Sequence, residues 1–241
     1  MKILIIRHAD PDYSIDSLTA QGKIEAELLA QKLSKLDIKE FYVSILGRAK
    51  HTADYTLKKL NRTAKECEWL KEFPSVIDKP NKQNSIVWDW LPQDWTSVEQ
   101  FYSHKDWADV PQMKKGEVLA EYKRVTAEFD KVLAEHGYVR NGRIYNAAKA
   151  NEDTIVFFCH FGVECVLLSH LLGISPMLLW HGFCAAPSSV TTLVTEERRK
   201  GIAYFRASAL GDVSHLYSGG EEPSFSARFC ETYDNTEQRH D

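Results

Sequence analysis

Two histidines of this chain stand where short apolar runs end, and an arginine precedes the first of them. Arg7 and His8 follow residues 3–6, a continuous run of Ile and Leu, and His160 follows residues 154–159. Such runs are typical of strands buried on both faces of a parallel sheet. In open α/β sheets, ligands bind at the carboxyl ends of the strands. An arginine beside an imidazole at that edge suits an anionic substrate and a nitrogen nucleophile.

A second arginine extends this set. Arg48 begins a predicted helix directly after residues 41–45, which form another predicted strand. If the three strands are parallel neighbours, two arginines and two histidines converge at one edge of the sheet, beside the amino ends of two helices. Such a group binds a dianion, and phosphate is the obvious candidate. An isolated arginine-histidine pair more often only caps a strand. It is the convergence of two arginines and two histidines at one edge that favours a functional site.

Four segments resemble, in the same order, the signatures of one protein family. They are residues 7–10 (Arg-His-Ala-Asp), 18–22 (Leu-Thr-Ala-Gln-Gly), 44–53 (Ser-Ile-Leu-Gly-Arg-Ala-Lys-His-Thr-Ala) and 156–173, which end in Leu-Leu-Gly. The family counterparts are Arg-His-Gly-Glu, Leu-Thr-x-x-Gly, Ser-x-Leu-x-Arg-Ala-x-x-Thr-Ala, and the strand and helix around a second histidine. The chain is therefore similar to the histidine phosphatase superfamily, the phosphoglycerate mutase-like proteins.

The resemblance implies a role for each of the four cationic side chains. His8 would attack phosphorus and form a phosphohistidine that water then hydrolyses. Arg7, Arg48 and His160 would bind the phosphoryl oxygens and offset the charge that develops in the transition state. Only a neutral imidazole can attack, and the two arginines disfavour protonation of His8. With three such groups at the phosphate, neither a metal nor another cofactor is expected.

The substrate-binding residues depart from the family pattern. Ser14, Phe161 and Gly162 are expected to line the substrate site together with the two arginines and His160. Phe161 stands where the family more usually has glycine, which places a bulky ring where the backbone normally approaches the substrate. Ser14 stands where the mutases of the family tend to carry an asparagine that helps to hold phosphate. This difference weakens the case for a mutase.

The general acid, which protonates the leaving oxygen, has two candidates. The family usually places a glutamate after the third strand, and Glu72 stands at about that point, although the glycine-containing segment that normally follows is absent. Asp89 is the alternative acid, because it lies between Trp88 and Trp90 and an aromatic environment would keep it protonated. Otherwise Asp89 is an exposed acid of a loop. The sequence favours Glu72.

Composition and charge narrow the classes of function. The chain has 241 residues, 44% hydrophobic and 27% charged, which suits a globular protein. A formal net charge of −4 gives no electrostatic basis for nucleic-acid binding. No apolar stretch is long enough to cross a membrane, and no secretory leader is expected. Five scattered cysteines without CxxC spacing favour free thiols in a reducing compartment, so a cytoplasmic location is expected.

The elements that must position these residues alternate along the chain. The pattern predicts helices over residues 19–36, 48–60, 117–136 and 161–172, strands over 67–70, 189–195 and 202–206, and a loop around His181. This alternation predicts an α/β protein, a three-layer α/β/α sandwich with a mainly parallel central sheet. Residues 1–216 are expected to form a single domain, with an inserted lid at about 74–115, and residues 217–241 a C-terminal tail.

The sequence therefore predicts a metal-independent phosphomonoester hydrolase that acts through a phosphohistidine on a small phosphorylated metabolite. Two alternatives stay open: phosphoglycerate mutase-type phosphoryl transfer, and an inactive phosphate-binding module that lacks a working acid. The retained arginines and histidines favour activity, and only the altered acid region favours an inactive module. The expected partner is the small phosphorylated substrate, without nucleic acid or membrane, and the oligomeric state is left open.

Overall fold

A β-sheet of eight strands lies at the centre of the computed structural model, which describes residues 1–226 and 228–239. In chain order, the strands of the described residues are β1 (Lys2–Arg7), β2 (Pro11–Asp12), β3 (Ser17–Leu18), β4 (Glu40–Ser44), β5 (Lys65–Cys67), β6 (Val76–Lys79), β7 (Lys82–Ile86), β8 (Tyr138–Asn141), β9 (Ile144–Ala147), β10 (Thr154–Cys159), β11 (Val190–Arg199) and β12 (Ile202–Asp212). The strands β2 and β3 pair with each other, as do β6 and β7. The other eight form the central sheet.

The strand order of the central sheet places the site-bearing strands side by side. The order is β5-β4-β10-β1-β11-β12-β9-β8. The first four strands pair in parallel, and each later pairing is antiparallel, so that only β11 and β9 run against the other six. The strands β4, β10 and β1 are therefore parallel neighbours whose carboxyl ends share one edge. This arrangement is the one that the convergence of the arginines and histidines requires.

Helices cover both faces of this sheet. In chain order, the described helices are α1 (Ala20–Leu33), α2 (Gly47–Leu60), α3 (Pro92–Trp95), α4 (Pro111–Lys115), α5 (Val118–Glu135), α6 (Phe161–Leu172), α7 (Pro176–Gly182) and α8 (Ser214–Ser218), with 3₁₀ turns at Glu68–Leu70 and Glu99–Tyr102. Successive side chains of a strand point to opposite faces. Leu4 packs in one core with Ala53 of α2, whereas Ile5 packs in the other with Phe129 of α5 and Val166 of α6. The predicted three-layer sandwich is confirmed.

The helices that follow the site-bearing strands begin and end close to where the sequence places them. Thr19 caps α1, and its hydroxyl oxygen accepts a hydrogen bond from the backbone N–H of Gly22 at 3.0 Å. The helix α6 starts directly after His160 and ends at Gly173, whose φ of +68° is the left-handed conformation that glycine adopts readily. The start of α6 therefore lies at the same sheet edge as the end of β10.

The strand predicted over residues 67–70 is wrong in position. The strand β5 ends at Cys67, and residues 68–70 form a 3₁₀ turn. Trp69 and Leu70 are consecutive, and both are buried in the core. An extended strand would send these two side chains to opposite faces of the sheet, whereas the tight turn directs both inward. The turn also carries the chain towards Glu72.

Five further elements differ from the sequence-based prediction. His181 lies in α7 and not in a loop, because Ser175 caps that helix through the N–H of Met177 and Pro176 occupies its first position. The hairpin β8–β9 adds two strands that were not predicted. The two closing strands also run further than predicted, to Arg199 and Asp212.

Residues 74–115 and the chain beyond residue 216 both contact the main body. The first segment contains the β6–β7 pair, α3 and α4, and buries Trp90, Phe101 and Trp107 in the core that covers one face of the sheet. Beyond α8, the Ser224 hydroxyl donates to the Asp10 carboxylate at 2.9 Å. In the part of the chain that the structure describes, no helix has the length and apolar character needed to cross a membrane.

Candidate active site

The structure brings Arg7, His8, Arg48 and His160 together at the carboxyl edge of the parallel strands. Arg7 ends β1 and His8 follows it, His160 follows β10, and Arg48 lies in the first turn of α2. The imidazole rings of His8 and His160 have their centroids 5.0 Å apart. His8 is 2% exposed and His160 is fully buried. The predicted convergence of two arginines and two histidines is therefore present in the fold.

The hydrogen bonding of His8 leaves one ring nitrogen with a free electron pair. The Nδ1 atom lies 2.8 Å from the carbonyl oxygen of Ala9, which can only accept a hydrogen bond, so Nδ1 carries the proton. Burial, reinforced by the charge of Arg7, lowers the pKa of His8 to about 3. The ring is therefore neutral at physiological pH, and its Nε2 is an unprotonated nucleophile.

His160 is held in the same tautomer, with the proton on Nδ1. Its Nε2 lies 2.8 Å from the hydroxyl oxygen of Ser44, and that oxygen accepts a hydrogen bond from the N–H of Leu46 at 3.2 Å. The Ser44 hydroxyl is then free to donate to Nε2, which places the ring proton on Nδ1. Burial lowers the pKa of His160 well below its usual value, so the ring is a neutral donor through Nδ1.

Three buried nitrogens of this cluster have no hydrogen-bond partner among the described residues: Arg7 Nε, Arg48 Nε and His160 Nδ1. Other donors of the same guanidinium groups are satisfied, since Arg7 Nη1 donates to the carbonyl of Ala185 at 2.6 Å and Arg48 Nη1 to Asp16 at 2.7 Å. Each buried donor without a partner costs about 1–3 kcal/mol. An anion between them would satisfy all three, and a phosphoryl group has the oxygens to do so.

Glu72 lies inside this site. Its Oε1 accepts hydrogen bonds from the backbone N–H of Phe73 at 2.9 Å and of Val163, near the amino end of α6, at 3.2 Å. Burial raises the pKa of Glu72, although these bonds and the charges of Arg7 and Arg48 act in the opposite direction. A buried carboxyl group that tends to keep its proton beside cationic groups has the properties of a general acid.

Gly162 shows how closely Glu72 approaches the start of α6. A Cβ atom at Gly162 would lie 2.7 Å from Glu72 Oε1 and 2.6 Å from the indole ring of Trp88, so only glycine fits there. Phe161 precedes it as the first residue of α6 and packs against the core. Both residues stand at the start of α6 beside His160.

Two other predicted residues have different surroundings. The carboxylate of Asp89 pairs with Arg239 at 3.2 Å, at the side of the insertion that the C-terminal segment contacts. Ser14 lies in the exposed loop between β2 and β3, where its hydroxyl donates to Asp12 at 2.6 Å. The structure thus places Glu72 beside Arg7, Arg48 and the start of α6, whereas the Asp89 carboxylate pairs with Arg239.

The comparison with protein families agrees with this geometry. A model described as the histidine phosphatase superfamily (branch 1) matches residues 3–207. The chain belongs to the histidine phosphatase superfamily. Membership confirms the family predicted from the four sequence segments, and with it the predicted enzyme class, a phosphatase of the histidine type. No curated protein sequence matches the chain.

Solved structures of other proteins share the fold. A phosphoserine phosphatase mutant from Entamoeba histolytica, in complex with phosphoserine, is 18% identical with a TM-score of 0.60, over 89% of this chain and 98% of that one. A mycobacterial glucosyl-3-phosphoglycerate phosphatase in complex with VO₃ is 17% identical with a TM-score of 0.56, over 87% and 98%. YhfR of Bacillus stearothermophilus is 16% identical with a TM-score of 0.56, over 89% and 98%. At these identities the likeness concerns the fold alone.

Several residues around the histidine phosphatase site were given no role in it from the sequence. Ser44 orients His160, and Asp16 binds both Arg48 and the backbone N–H of Gly47. Glu164 is buried on α6, and burial raises its pKa to about 7. The sequence marks two of these residues as candidates, because Ser44 lies within one of the four family-like segments and Glu164 is an acid in a largely apolar helix. Asp16 is not marked in this way, because its partners come from a distant segment.

Proposed function

We propose that this protein hydrolyses phosphomonoesters of small metabolites through a phosphohistidine on His8, without a metal. The observation that carries the proposal is the neutral His8, with Nε2 unprotonated, beside three buried nitrogen donors that have no partner among the described residues. A nucleophile next to a set of anion donors suits phosphoryl transfer.

The first step forms a bond from His8 Nε2 to phosphorus and breaks the bond from phosphorus to the leaving oxygen. Glu72 gives its proton to that oxygen, so the alcohol leaves neutral. Arg7, Arg48 and His160 donate hydrogen bonds to the equatorial phosphoryl oxygens, where they offset the charge of the transition state.

The second step returns the enzyme to its starting state. Glu72, now a carboxylate, takes a proton from water, and the water oxygen bonds to phosphorus as the bond to His8 breaks. The products are inorganic phosphate and the protonated Glu72. The raised pKa of Glu72 suits both directions of this transfer, because the group must hold a proton first and regain it later.

The small size proposed for the substrate rests on the relatives. The two phosphatases compared above act, by their names, on phosphoserine and on glucosyl-3-phosphoglycerate, both small phosphorylated metabolites.

Three other expectations stay predictions. They are the cytoplasmic location, the single domain over residues 1–216 with its insertion at 74–115, and the tail over 217–241. The position of Glu72 favours an active enzyme over the alternative of an inactive phosphate-binding module.

A panel of phosphorylated metabolites, assayed for released phosphate, tests the proposal. Wild-type protein should release phosphate equally with and without EDTA, and His8→Ala should abolish turnover. His51→Ala is the matched control, because His51 is an exposed histidine of α2 that bonds to Ser17 and should be dispensable. Inhibition by EDTA that zinc or magnesium reverses would contradict the metal-free mechanism.

A further inference from the structure

One aromatic side chain of the insertion stands beside the general acid. The edge of the Trp88 indole and Glu72 Oε1 flank the same point, each within 2.7 Å of where a Cβ at Gly162 would lie. Trp88 is partly exposed, and it packs against Trp180 with ring centroids 6.1 Å apart. The indole therefore packs against the core on one side and has a partly exposed side next to Glu72.

A buried lysine fixes the backbone that carries Trp88. Lys79 is 5% exposed, and its ammonium group donates to the carbonyl oxygens of Trp88 at 2.9 Å and of Asp89 at 2.7 Å. Asp89 has a φ of +68°, a conformation that a residue other than glycine keeps only where its surroundings impose it. The lysine thus holds a strained turn in place directly after Trp88.

The residues after Trp88 are anchored as well. The backbone N–H of Trp90 donates to His181 Nε2 at 3.1 Å, and the indole N–H of Trp90 donates to the carbonyl of Val87 at 2.9 Å. His181 Nδ1 bonds to the carbonyl of Met177, which fixes the tautomer that leaves Nε2 as an acceptor. Residues 87–90 are therefore tied to α7 and to the β6–β7 pair, and they form a fixed wall.

We propose that Trp88 is a specificity-determining residue, whose indole contacts the leaving group of a phosphomonoester and favours leaving groups with an apolar or aromatic face. The proposal rests on the proposed function, since it takes Glu72 as the acid. Because Oε1 of Glu72 accepts two backbone hydrogen bonds, Oε2 carries the proton, and a leaving oxygen bonded to Oε2 lies beside the same carboxyl group that Trp88 flanks. The carbon atoms attached to that oxygen must then pass the indole, and apolar contact there strengthens binding.

Two alkyl phosphates of similar leaving-group basicity test this contact: 2-phenylethyl phosphate and ethyl phosphate. Wild-type protein should prefer the phenylethyl ester by about tenfold in kcat/KM, the size of a contact between two aromatic groups. Trp88→Ala should bring this ratio close to one, and Trp88→Phe should keep most of it. Trp95→Phe is the control, because Trp95 is an aromatic residue of the same insertion that packs on Tyr102 and His181 and should leave the ratio unchanged.

Binding of the corresponding phosphonates, measured by calorimetry, separates this proposal from the proposed function. If the protein prefers 2-phenylethylphosphonate over ethylphosphonate, and loses that preference in Trp88→Ala and not in Trp95→Phe, the contact stands even if no ester is hydrolysed. A folded Trp88→Ala protein that keeps the preference would overturn the proposal, as would a wild-type protein without any preference or without phosphonate binding. Thermal unfolding of each variant shows whether it is folded. If Trp88→Ala is not folded, Trp88→Gln carries the test, because it also removes the apolar ring and should lose the preference.

Discussion

Replacing Glu72 by glutamine tests the assignment of the general acid. The substitution keeps a side-chain oxygen that can accept from the N–H groups of Phe73 and Val163, and it removes the proton that would be donated. Because Glu72 is buried and its pKa is raised, the wild-type side chain is poised to carry that proton. A neutral amide of the same shape should therefore leave the fold intact and impair one chemical event.

The size of the effect follows from the leaving oxygen. Removal of a general acid costs roughly 10²–10⁴ in rate when the leaving group needs the proton, or about 3–5 kcal/mol in the barrier. An alkyl ester leaves as a strongly basic alkoxide and needs it. The p-nitrophenolate ion leaves readily without it, so its ester should be largely spared.

The assay compares kcat/KM for glycerol phosphate and p-nitrophenyl phosphate. Glu72→Gln should lose roughly 10²–10⁴ on glycerol phosphate and much less on p-nitrophenyl phosphate. Asp89→Asn is the matched control, because the Asp89 carboxylate pairs with Arg239, and it should change both substrates little. The reverse pattern would assign the role to Asp89. Equal losses of Glu72→Gln on both substrates would refute its role as the acid.

Three further predictions concern Arg48, Ser44 and His8. Arg48→Ala should raise KM and lower kcat together in steady-state kinetics, because the proposed contact of the guanidinium with the phosphoryl group is made in both the ground state and the transition state; a change in KM alone would argue against it. Ser44→Ala should lower kcat/KM about tenfold, since it removes the hydrogen bond that sets the tautomer of His160; an unchanged value would show that Ser44 has no orienting role. The pKa of His8 is about 3 in the fold against 6.5 for the ordinary side chain, so the unfolded chain binds more protons between these values and stability is lost as the pH falls from 6.5 towards 3. Urea unfolding at several pH values measures how the free energy of unfolding changes with pH. Between pH 3 and 6.5 this change should be smaller in His8→Asn than in the wild type by about 1.4 kcal/mol per pH unit. Equal changes in the two proteins would contradict the buried neutral ring.

The parts of the site that the sequence predicts are those that local pattern determines. Residues 2–7 and 154–159 are buried strands because their apolar runs are continuous, and a histidine directly after such a strand must lie at the sheet edge. Arg48 is at the edge for the same reason, since it begins a helix directly after a strand. These three positions follow from chain order once the strands are parallel.

The parts that the sequence does not predict depend on contacts between distant segments. Lys79 meets the carbonyls of Trp88 and Asp89 only through the turn that joins them, and nothing in its neighbours indicates that it is buried. The pairing of Asp16 with Arg48 joins segments 32 residues apart. The choice between Glu72 and Asp89 is of the same kind, because both stand in loops and only the folded chain brings one of them to α6.

Detection of the covalent intermediate tests the central claim most directly. Rapid acid-free denaturation during turnover of p-nitrophenyl phosphate, followed by mass spectrometry of peptides under alkaline conditions, should find one phosphoryl group on His8 that is lost in acid. Glu72→Gln should still form this group from p-nitrophenyl phosphate and should accumulate it, because the activation of water is impaired. A phosphoryl group on another residue, or steady turnover with His8 replaced by alanine, would contradict the account.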